Sequence, residues 1–583
     1  MTPEQDKERI NKEHPPRSPA DRYARAKTER DAHVQALLTS PSTKKIVVAG
    51  PGTGKTHLFK EVLHGKQKTL TLTFVKSLVE DLSLELCGMS EVRTLHSYAP
   101  STLSRVNNTE IRIFPKLSQV IREDAQILLN EDIDFDHIFH NRNNDNHHVP
   151  FYKKRKDYYA HYGFSDIVFA VVKYWDKYQN RIPTYEQVVV DEFQDFNKLE
   201  MSLIDLLAQR SPVLLAGDDD QALYSDLKSA RAEFIRQRYA SRDYSSFSLP
   251  YCSRCTRVIV DAANDVIKAA TQKGLLTGRI SKPYRYFQDP DKDRESDANP
   301  KIMYVRLFAR IIPWFIQKKI TETAEELKKK FSVLVISPTR IQSGLIVRTL
   351  RERGFENTES VVKADQAGPT LLDGLKLLLQ DSKSNLGWRI AAKSILTGDD
   401  FRSLLAETHA ADPKPLCDII SGPHKREVNQ MLTFLRGLRR GKRKGDNPEL
   451  LNRLLNSVGT NRDQMATEFL CEEIGSEPMH SADAAVRKLP IKATTIQSSK
   501  GLAEDYVFIT HFDDRYFIKD KDKAKTSDHD ICSFLVALTR ARKRVYLISS
   551  NPRSTPTFLN WISPDRIEDL TAPAALPEPE PPQ

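Results

Sequence analysis

Two short stretches carry residue types at spacings suited to phosphate chemistry. Residues 49–56 read AGPGTGKT and directly follow the apolar run KKIVV. Ala49, Gly50, Pro51, Gly52, Thr53 and Gly54 would form a loop whose successive backbone N–H groups wrap an anion, and a helix opening at Lys55 would add its positive end. Lys55 would reach the outer phosphates of a nucleoside triphosphate, and the Thr56 hydroxyl would ligate Mg²⁺. A glycine-rich turn can arise by chance, but the strand–loop–helix setting favours a phosphate site; Ala49 departs from the common pattern, which begins with glycine. Residues 188–195 read VVVDEFQD. Three valines bury a strand, and two carboxylates emerge at its C-terminal end, where ligands bind in open α/β sheets. Asp191 suits Mg²⁺ held through its water shell, and Glu192 suits accepting a proton from an attacking water. Standing alone, such a pair is more often a solvated strand end; beside a phosphate loop the catalytic reading prevails.

A third stretch, VLLAGDDDQALYSDLKSA (Val213 to Ala230), sets three aspartates in a row at the end of an apolar run. That is unexpected in a chain of net charge +10 and pI near 9.0. Asp218, Asp219 and Asp220 would shape the turn and cap the next segment, while Gln221 can hydrogen-bond a terminal phosphate or the attacking water.

These groups need a frame that presents several strand ends together. The buried runs KKIVVAG (Lys44 to Gly50), TLTLTF (Thr69 to Phe74), QVVVDE (Gln187 to Glu192) and PVLLAG (Pro212 to Gly217) alternate with helical stretches, which argues for a parallel α/β sheet. SVLVIS (Ser332 to Ser337), DYVFIT (Asp505 to Thr510) and RVYLIS (Arg544 to Ser549) supply a second such sheet. Two long segments, about 100–186 and 364–486, interrupt the pattern and read as mainly helical insertions.

With 583 residues, 39% hydrophobic and 28% charged, the chain is expected to form several globular domains. No apolar run approaches the roughly 20 residues that span a bilayer. The opening MTPEQDKERINKEH lacks the apolar centre of a secretory signal. Six scattered cysteines favour a reducing interior over a disulfide framework, so an intracellular place, in the cytoplasm or on the nucleoid, is expected. The positive balance suits a polyanion partner. No internal repeat is present.

With the two phosphate motifs in place, the chain resembles the UvrD/PcrA/Rep-type superfamily 1A helicases. TLTLTFVKSL is similar to their strand-contact motif, TLHSYA (Thr94 to Ala99) to the T-x-H-S motif, and GDDDQALY (Gly217 to Tyr224) to the third motif. LPYCSRCT (Leu249 to Thr256) resembles a degenerate N-Y-R-S motif, TIQSSKGL (Thr495 to Leu502) the fifth, and LVALTRARKRVYLI (Leu535 to Ile548) the sixth. The resemblance implies an α/β fold of two RecA-like P-loop domains with ATP and Mg²⁺ in the cleft between them. Its division would be a charged arm 1–30, domain 1A in 31–99 and 187–250, insertion 1B in 100–186, domain 2A in 251–363 and 487–562, insertion 2B in 364–486, and a disordered proline-rich tail 563–583. Arg254 and Arg540 would reach across as arginine fingers, and Gln221 would sense the γ-phosphate. Phe74, Thr94, His96, Tyr224 and Thr495 would contact nucleic acid. The resemblance implies ATP-driven 3′–5′ movement on single-stranded DNA or a tailed duplex.

There are departures. Gln497 stands where many relatives have histidine. Ala503 replaces a glutamate for the nucleotide sugar, with Glu504 adjacent. Gln35 is the nearest counterpart of an adenine-reading glutamine, though it also suits a solvent-facing helix. YSDLKSA replaces Y-G-W-R-G-A, without its tryptophan. Both insertions are short. Two alternatives remain: a DNA-stimulated, nucleotide-sensing ATPase that regulates a nuclease-type partner, as in the helicase subunit of Gabija anti-phage systems, or an RNA helicase.

Other signals weigh less. Cys252 and Cys255 form a lone C-x-x-C, without the second pair that tetrahedral zinc needs. His137, His140, His147 and His148 fit a polar loop better than a metal site. RGLRRGKRKG (Arg436 to Gly445) suits a phosphate backbone and a solvated face equally.

Overall fold

A computed structural model describes residues 19–73, 76–223, 229–361, 368–410, 412–439, 489–518, 525–551 and 554–571. Two parallel sheets organise the chain. The first contains β1 (Lys44–Ala49), β2 (Thr69–Thr73), β3 (Glu91–Thr94), β4 (Gln187–Val190), β5 (Val213–Gly217) and β6 (Ser245–Leu249), in the order β3-β2-β4-β5-β1-β6. A minor pair, β7 (Tyr251–Cys252) and β8 (Arg285–Tyr286), comes next. The second sheet contains β9 (Ile302–Arg306), β10 (Val333–Ser337), β11 (Thr358–Ser360), β12 (Ile491–Thr495), β13 (Glu504–Thr510), β14 (Ala541–Ser549) and β15 (Ile567–Asp569), in the order β11-β12-β10-β13-β14-β9-β15. Neighbouring strands are parallel throughout both sheets.

Parallel strands covered by helices on both faces bury every side chain, which is why they read as unbroken apolar runs. In the first sheet Ile46, Val48, Leu70, Leu72, Val188 and Val190 pack to one side. Val47, Val189, Leu214 and Ala216 face the other, against Leu58, Phe59 and Leu63 of the helix Lys55–Leu63. This is the two-residue alternation of a strand. The second sheet repeats it, with Leu334, Ile336, Val507 and Ile509 on one face and Val333, Val335, Ile491 and Phe508 on the other. The short strands β3, β6, β11 and β15 lie at sheet edges, where a polar strand is tolerated, so no apolar run announced them.

Register decides where the chemistry emerges. Val48 lies opposite Gly217, Leu72 opposite Val190, and Thr73 opposite Thr94. The segments after β1, β4 and β5 therefore leave from one edge of the first sheet. Thr495 lies opposite Ser337 at the corresponding edge of the second.

Helices fill residues 95–177, and others fill 371–439. The two groups dock through a buried charge cluster. The Asp124 carboxylate accepts from Arg155 Nε at 2.9 Å, from Arg389 Nε and Nη2 at 3.0 and 2.8 Å, and from Tyr159 O–H at 2.6 Å. Burial alone would raise the Asp124 carboxyl, but Arg389 and Arg155 hold it below its ordinary range.

Two terminal expectations need correction. The arm expected over residues 1–30 is helical from Pro19, within the helix Pro19–Thr39, because Ala26, Val34 and Leu37 give it an apolar side to bury. The tail expected to be disordered from 563 first adds β15 beside β9, and Arg566 pairs with Asp261 and Asp265; residues 572–583 lie outside the described residues. Most of the basic run, from residue 440, also lies outside them. Among the described residues no helix is long and apolar enough to cross a membrane.

Candidate active site at the junction of the two sheets

The loop after β1 is shaped by two left-handed glycines, Gly52 (φ +70°) and Gly54 (φ +94°), a conformation that side chains resist. A Cβ on Gly54 would meet nothing within 4 Å, so the loop faces open space. A Cβ on Gly52 would come within 2.3 Å of the Arg254 Cβ, so only glycine lets the segment after β7 approach this closely. Thr53 Oγ1 closes the turn by donating to the Gly50 carbonyl at 2.9 Å, and the Tyr284 hydroxyl donates to the Pro51 carbonyl at 3.0 Å. Lys55 and Thr56 open the following helix, whose first N–H groups have no intrahelical acceptor.

Lys55 Nζ lies 2.7 Å from Glu192 Oε1 and 3.3 Å from Asp191 Oδ1. Burial alone would lower the ammonium pKa, but the two carboxylates more than reverse that, and Lys55 is held protonated. Glu192 sits in the left-handed region (φ +53°), a strained backbone that turns its side chain back toward the loop. Burial would raise its carboxyl, yet Lys55 and then Lys500 hold it far below the ordinary range. Asp191 shifts the other way, raised by burial. Thr56 opens the helix after the loop and the buried Asp191 carboxylate lies 3.3 Å from Lys55, the residue before it, so a hydroxyl and a carboxylate, both hard oxygen donors, are available to Mg²⁺ with retained waters.

From Glu192 a hydrogen-bonded path crosses to the second sheet. Gln194 Nε2 donates to Glu192 Oε2 at 2.6 Å, and Gln194 Oε1 accepts the Asp218 N–H at 3.0 Å. Gln221 Nε2 donates to Asp218 Oδ2 at 2.7 Å, while Gln221 Oε1 accepts from Arg540 Nη2 at 3.0 Å. Lys500 runs parallel to this path, its Nζ 2.5 Å from Asp195 Oδ2, 2.7 Å from the Gln221 carbonyl and 3.4 Å from Glu192 Oε2. Arg540 is buried, and its guanidinium pKa is pushed down to about 10, first by burial and then by Arg254 nearby. That makes the site one in which added negative charge would be welcome.

The three aspartates have a structural partner. Lys282 Nζ reaches Asp218, Asp219 and Asp220 at 2.9, 2.6 and 2.8 Å. Arg279 binds Asp220 through Nε and Nη2 at 2.7 and 2.8 Å, and Arg236 Nε holds Asp219 at 3.0 Å. The acidic run is thus neutralised by cations of its own chain. Among the described residues this trio is the one cluster of carboxylate, thiol or imidazole groups close enough to share a metal, and an ammonium group stands there. His137, His140, His147 and His148 form no such cluster; His140 Nε2 is hydrogen-bonded to Ser165 Oγ at 2.9 Å.

The match to an AAA domain covers residues 33–226 and so takes in the loop, Asp191, Glu192 and Gln221. The chain is 28% identical over 202 residues to the ATP-dependent DNA helicase PcrA of Bacillus subtilis, covering 33% of this chain and 25% of the relative. Over 140 residues it is 29% identical to the ATP-dependent DNA helicase srs2 of Schizosaccharomyces pombe, covering 22% and 15%. Over 220 residues it is 24% identical to PcrA of Staphylococcus aureus, covering 33% and 26%. Over the matched segments the chain is similar to UvrD/PcrA-like helicases. The matched segments span about a quarter or less of these relatives' own length.

The junction gathers Lys55, Asp191, Glu192, Gln221, Arg254 and Arg540. It does not gather Gln35, which is exposed on the N-terminal helix, or Glu504, whose carboxylate pairs with Lys492 at 2.8 Å. Thr94 caps the helix Leu95–Asn107 by accepting the Ser97 N–H at 3.1 Å, and His96 stands 3.6 Å from Glu200 beside the Phe164 ring. Thr495 Oγ1 accepts the Ser498 N–H at 3.4 Å. Phe74 and Tyr224 lie outside the described residues. Gln194, Asp195 and Lys500 were not singled out from the sequence, although the first two lie inside VVVDEFQD and the third inside TIQSSKGL. Arg279, Lys282 and Tyr284 had no local signal: a basic residue in a basic chain looks like surface until its partners are known.

Proposed function

We propose that this chain is a nucleic-acid-dependent ATPase that couples ATP hydrolysis to 3′–5′ movement on single-stranded DNA. The observation that carries the reading is the continuous path Lys55–Glu192–Gln194–Asp218–Gln221–Arg540, which joins the phosphate loop of one sheet to an arginine of the other. ATP phosphates on the loop would draw Lys55 from Glu192 and leave that carboxylate to take a proton from the attacking water. Thr56 and Asp191 would hold Mg²⁺, which supplies charge neutralisation at the phosphates. Lys55, Arg254 and Arg540 stabilise the charge of the γ-phosphoryl group in transfer. Gln221, already bonded to Arg540, would re-pair when that group leaves, so the tie between the sheets would change with each turnover. Nucleic-acid contacts at the strand ends carrying Thr94 and Thr495 would convert this into movement along a single strand. The direction and the preference for DNA rest on the resemblance to UvrD/PcrA-like helicases.

The test is DNA-stimulated ATP hydrolysis by Lys55→Ala and Glu192→Gln, both expected to lose turnover. Full turnover in either variant would overturn the site. A strand-displacement assay on 3′-tailed and 5′-tailed duplexes reads the movement, and displacement restricted to the 3′ tail is expected. Strong ATPase without displacement would point instead to a nucleotide-sensing module acting on a partner such as a nuclease. Greater stimulation by single-stranded RNA than by DNA would point to an RNA helicase.

A further inference from the structure

Cys252 and Cys255 lie where the segment after β6 packs against the loop after β1. Cys252 ends β7, and Cys255 immediately precedes Thr256, the N-cap of the helix Arg257–Gln272. Both are fully buried. The Cys255 N–H points at Cys252 Sγ, 3.5 Å away, and the two thiols also interact with each other. Two cysteines separated by two residues at a helix start can close a disulfide with little backbone change. No other cysteines of the chain lie within four residues of each other.

Their surroundings tie this pair to the phosphate loop. A Cβ on Gly52 would meet Cys252 Sγ at 3.2 Å, and the Ser253 N–H donates to the Gly52 carbonyl at 3.0 Å. Arg254 stands between the two cysteines, its Cβ the nearest atom to that same glycine. Cys255 Sγ contacts the Thr539 carbonyl, next to Arg540, at 3.7 Å. The loop thus covers Cys252 in this arrangement, and a shift of the loop away from β7 would uncover it. Burial alone would raise the Cys252 thiol, but hydrogen bonds from Cys255 and from the backbone bring it down to about 6. The thiolate is the reactive form.

We propose that Cys252 and Cys255 are a reversible dithiol–disulfide site that sets how Arg254 meets the phosphate loop. With a peroxide as oxidant, the Cys252 thiolate attacks one oxygen, the O–O bond breaks, and the departing hydroxide takes a proton to become water. Cys255, giving up its proton, attacks the resulting sulfenic sulfur and expels a second water. Two thiols are oxidised by two electrons, hydrogen peroxide is reduced to two waters, and a dithiol reductant reverses the change. The disulfide closes a ring around Ser253 and Arg254 and so fixes the backbone that carries Arg254. Its effect on catalysis rests on the ATPase reading above; the pairing itself does not.

The experiment uses the full chain with the exposed Cys87 replaced (Cys87→Ser). After hydrogen peroxide treatment, peptide mapping is expected to show the segment holding Cys252 and Cys255 lighter by two hydrogens, and dithiothreitol to restore it. DNA-stimulated turnover is expected to fall at least about tenfold on oxidation and to return on reduction. Cys255→Ser in the same background keeps its rate through the treatment. Failure to form the linked peptide in nucleotide-free protein overturns the proposal whatever the ATPase does. An equal loss of rate in Cys255→Ser overturns the control of Arg254. A linked peptide in a chain that never hydrolyses ATP refutes the ATPase reading and leaves the pairing standing.

Discussion

Arg540 Nη2 donates to Gln221 Oε1 at 3.0 Å, joining the loop after β5 to the start of β14 in the other sheet. The same guanidinium donates through Nε to the Val536 carbonyl at 2.9 Å and through Nη1 to the Leu502 carbonyl at 3.3 Å. The guanidinium is held mainly from its own side of the junction, by Val536, Leu502 and, at 3.5 Å, Thr539 Oγ1, and Gln221 is the partner it meets across the junction. In the proposed site a transferred phosphoryl group would compete with Gln221 for this arginine.

Arg540→Ala is expected to lower DNA-stimulated kcat by about 10²–10³-fold, the usual scale for removing one preorganised group from a transition state. Arg540→Lys should recover little, because one ammonium cannot span the Val536 and Leu502 carbonyls and Gln221, which the guanidinium reaches through three separate nitrogens. Steady-state ATPase assays with ATP varied check this, and a kcat near wild type in Arg540→Ala would remove the arginine from the site.

Lys282→Met leaves three buried carboxylates without their common ammonium. Breaking a buried ion pair from one side costs about 3–5 kcal/mol, and that loss is expected in urea unfolding. The oxygens of Asp218, Asp219 and Asp220 lie within 4.8 Å of one another, so millimolar Ca²⁺ should restore part of the variant's stability and leave the wild type unchanged. A variant as stable as wild type without calcium would show that Lys282 is dispensable there.

Asp166 supplies a pH dependence. Burial pushes its carboxyl up to about 7; Oδ1 accepts from the Tyr152 hydroxyl at 3.0 Å and the Gly163 N–H at 2.6 Å, while Oδ2 is buried without a partner. A carboxyl raised on folding contributes its full stability below the unfolded value near 4 and loses it as pH rises through the folded value near 7. Asp166→Asn keeps the acceptor and cannot ionise, so its melting temperature should gain on wild type between about pH 5 and pH 8. The gain corresponds to a few kcal/mol at most. Parallel melting curves across that range would contradict the assignment.

Asp124→Ala strands two buried guanidiniums, Arg155 and Arg389, at the contact between the two helical groups. A destabilisation of about 3–5 kcal/mol is expected, together with faster protease cleavage in residues 368–439. Limited proteolysis and urea unfolding measure both, and an unchanged digestion pattern would show that the cluster does not hold the two groups together.

Much of this organisation was legible along the chain. β1, β2, β4, β5 and β10 lie within the runs read as strands and β13 and β14 overlap them, because strands covered on both faces bury mostly apolar side chains. The phosphate loop was legible for a related reason: Gly52 and Gly54 answer a local backbone demand, and local demands leave local marks. The strands β3, β11 and β15 were not legible, since a sheet edge asks little of its side chains.

What residue order by itself determined was the set of strand ends and the chemical groups placed on them. Which groups meet was decided only by tertiary structure. Asp195 and Lys500 are 305 positions apart, and Gln221 and Arg540 are 319 apart, yet each pair shares a hydrogen bond. The three aspartates look like a metal site until Lys282, 63 positions beyond Asp219, fills the space between them. Charge compensation in a buried site depends on distance through space, and chain order carries no trace of it until two sheets are brought face to face.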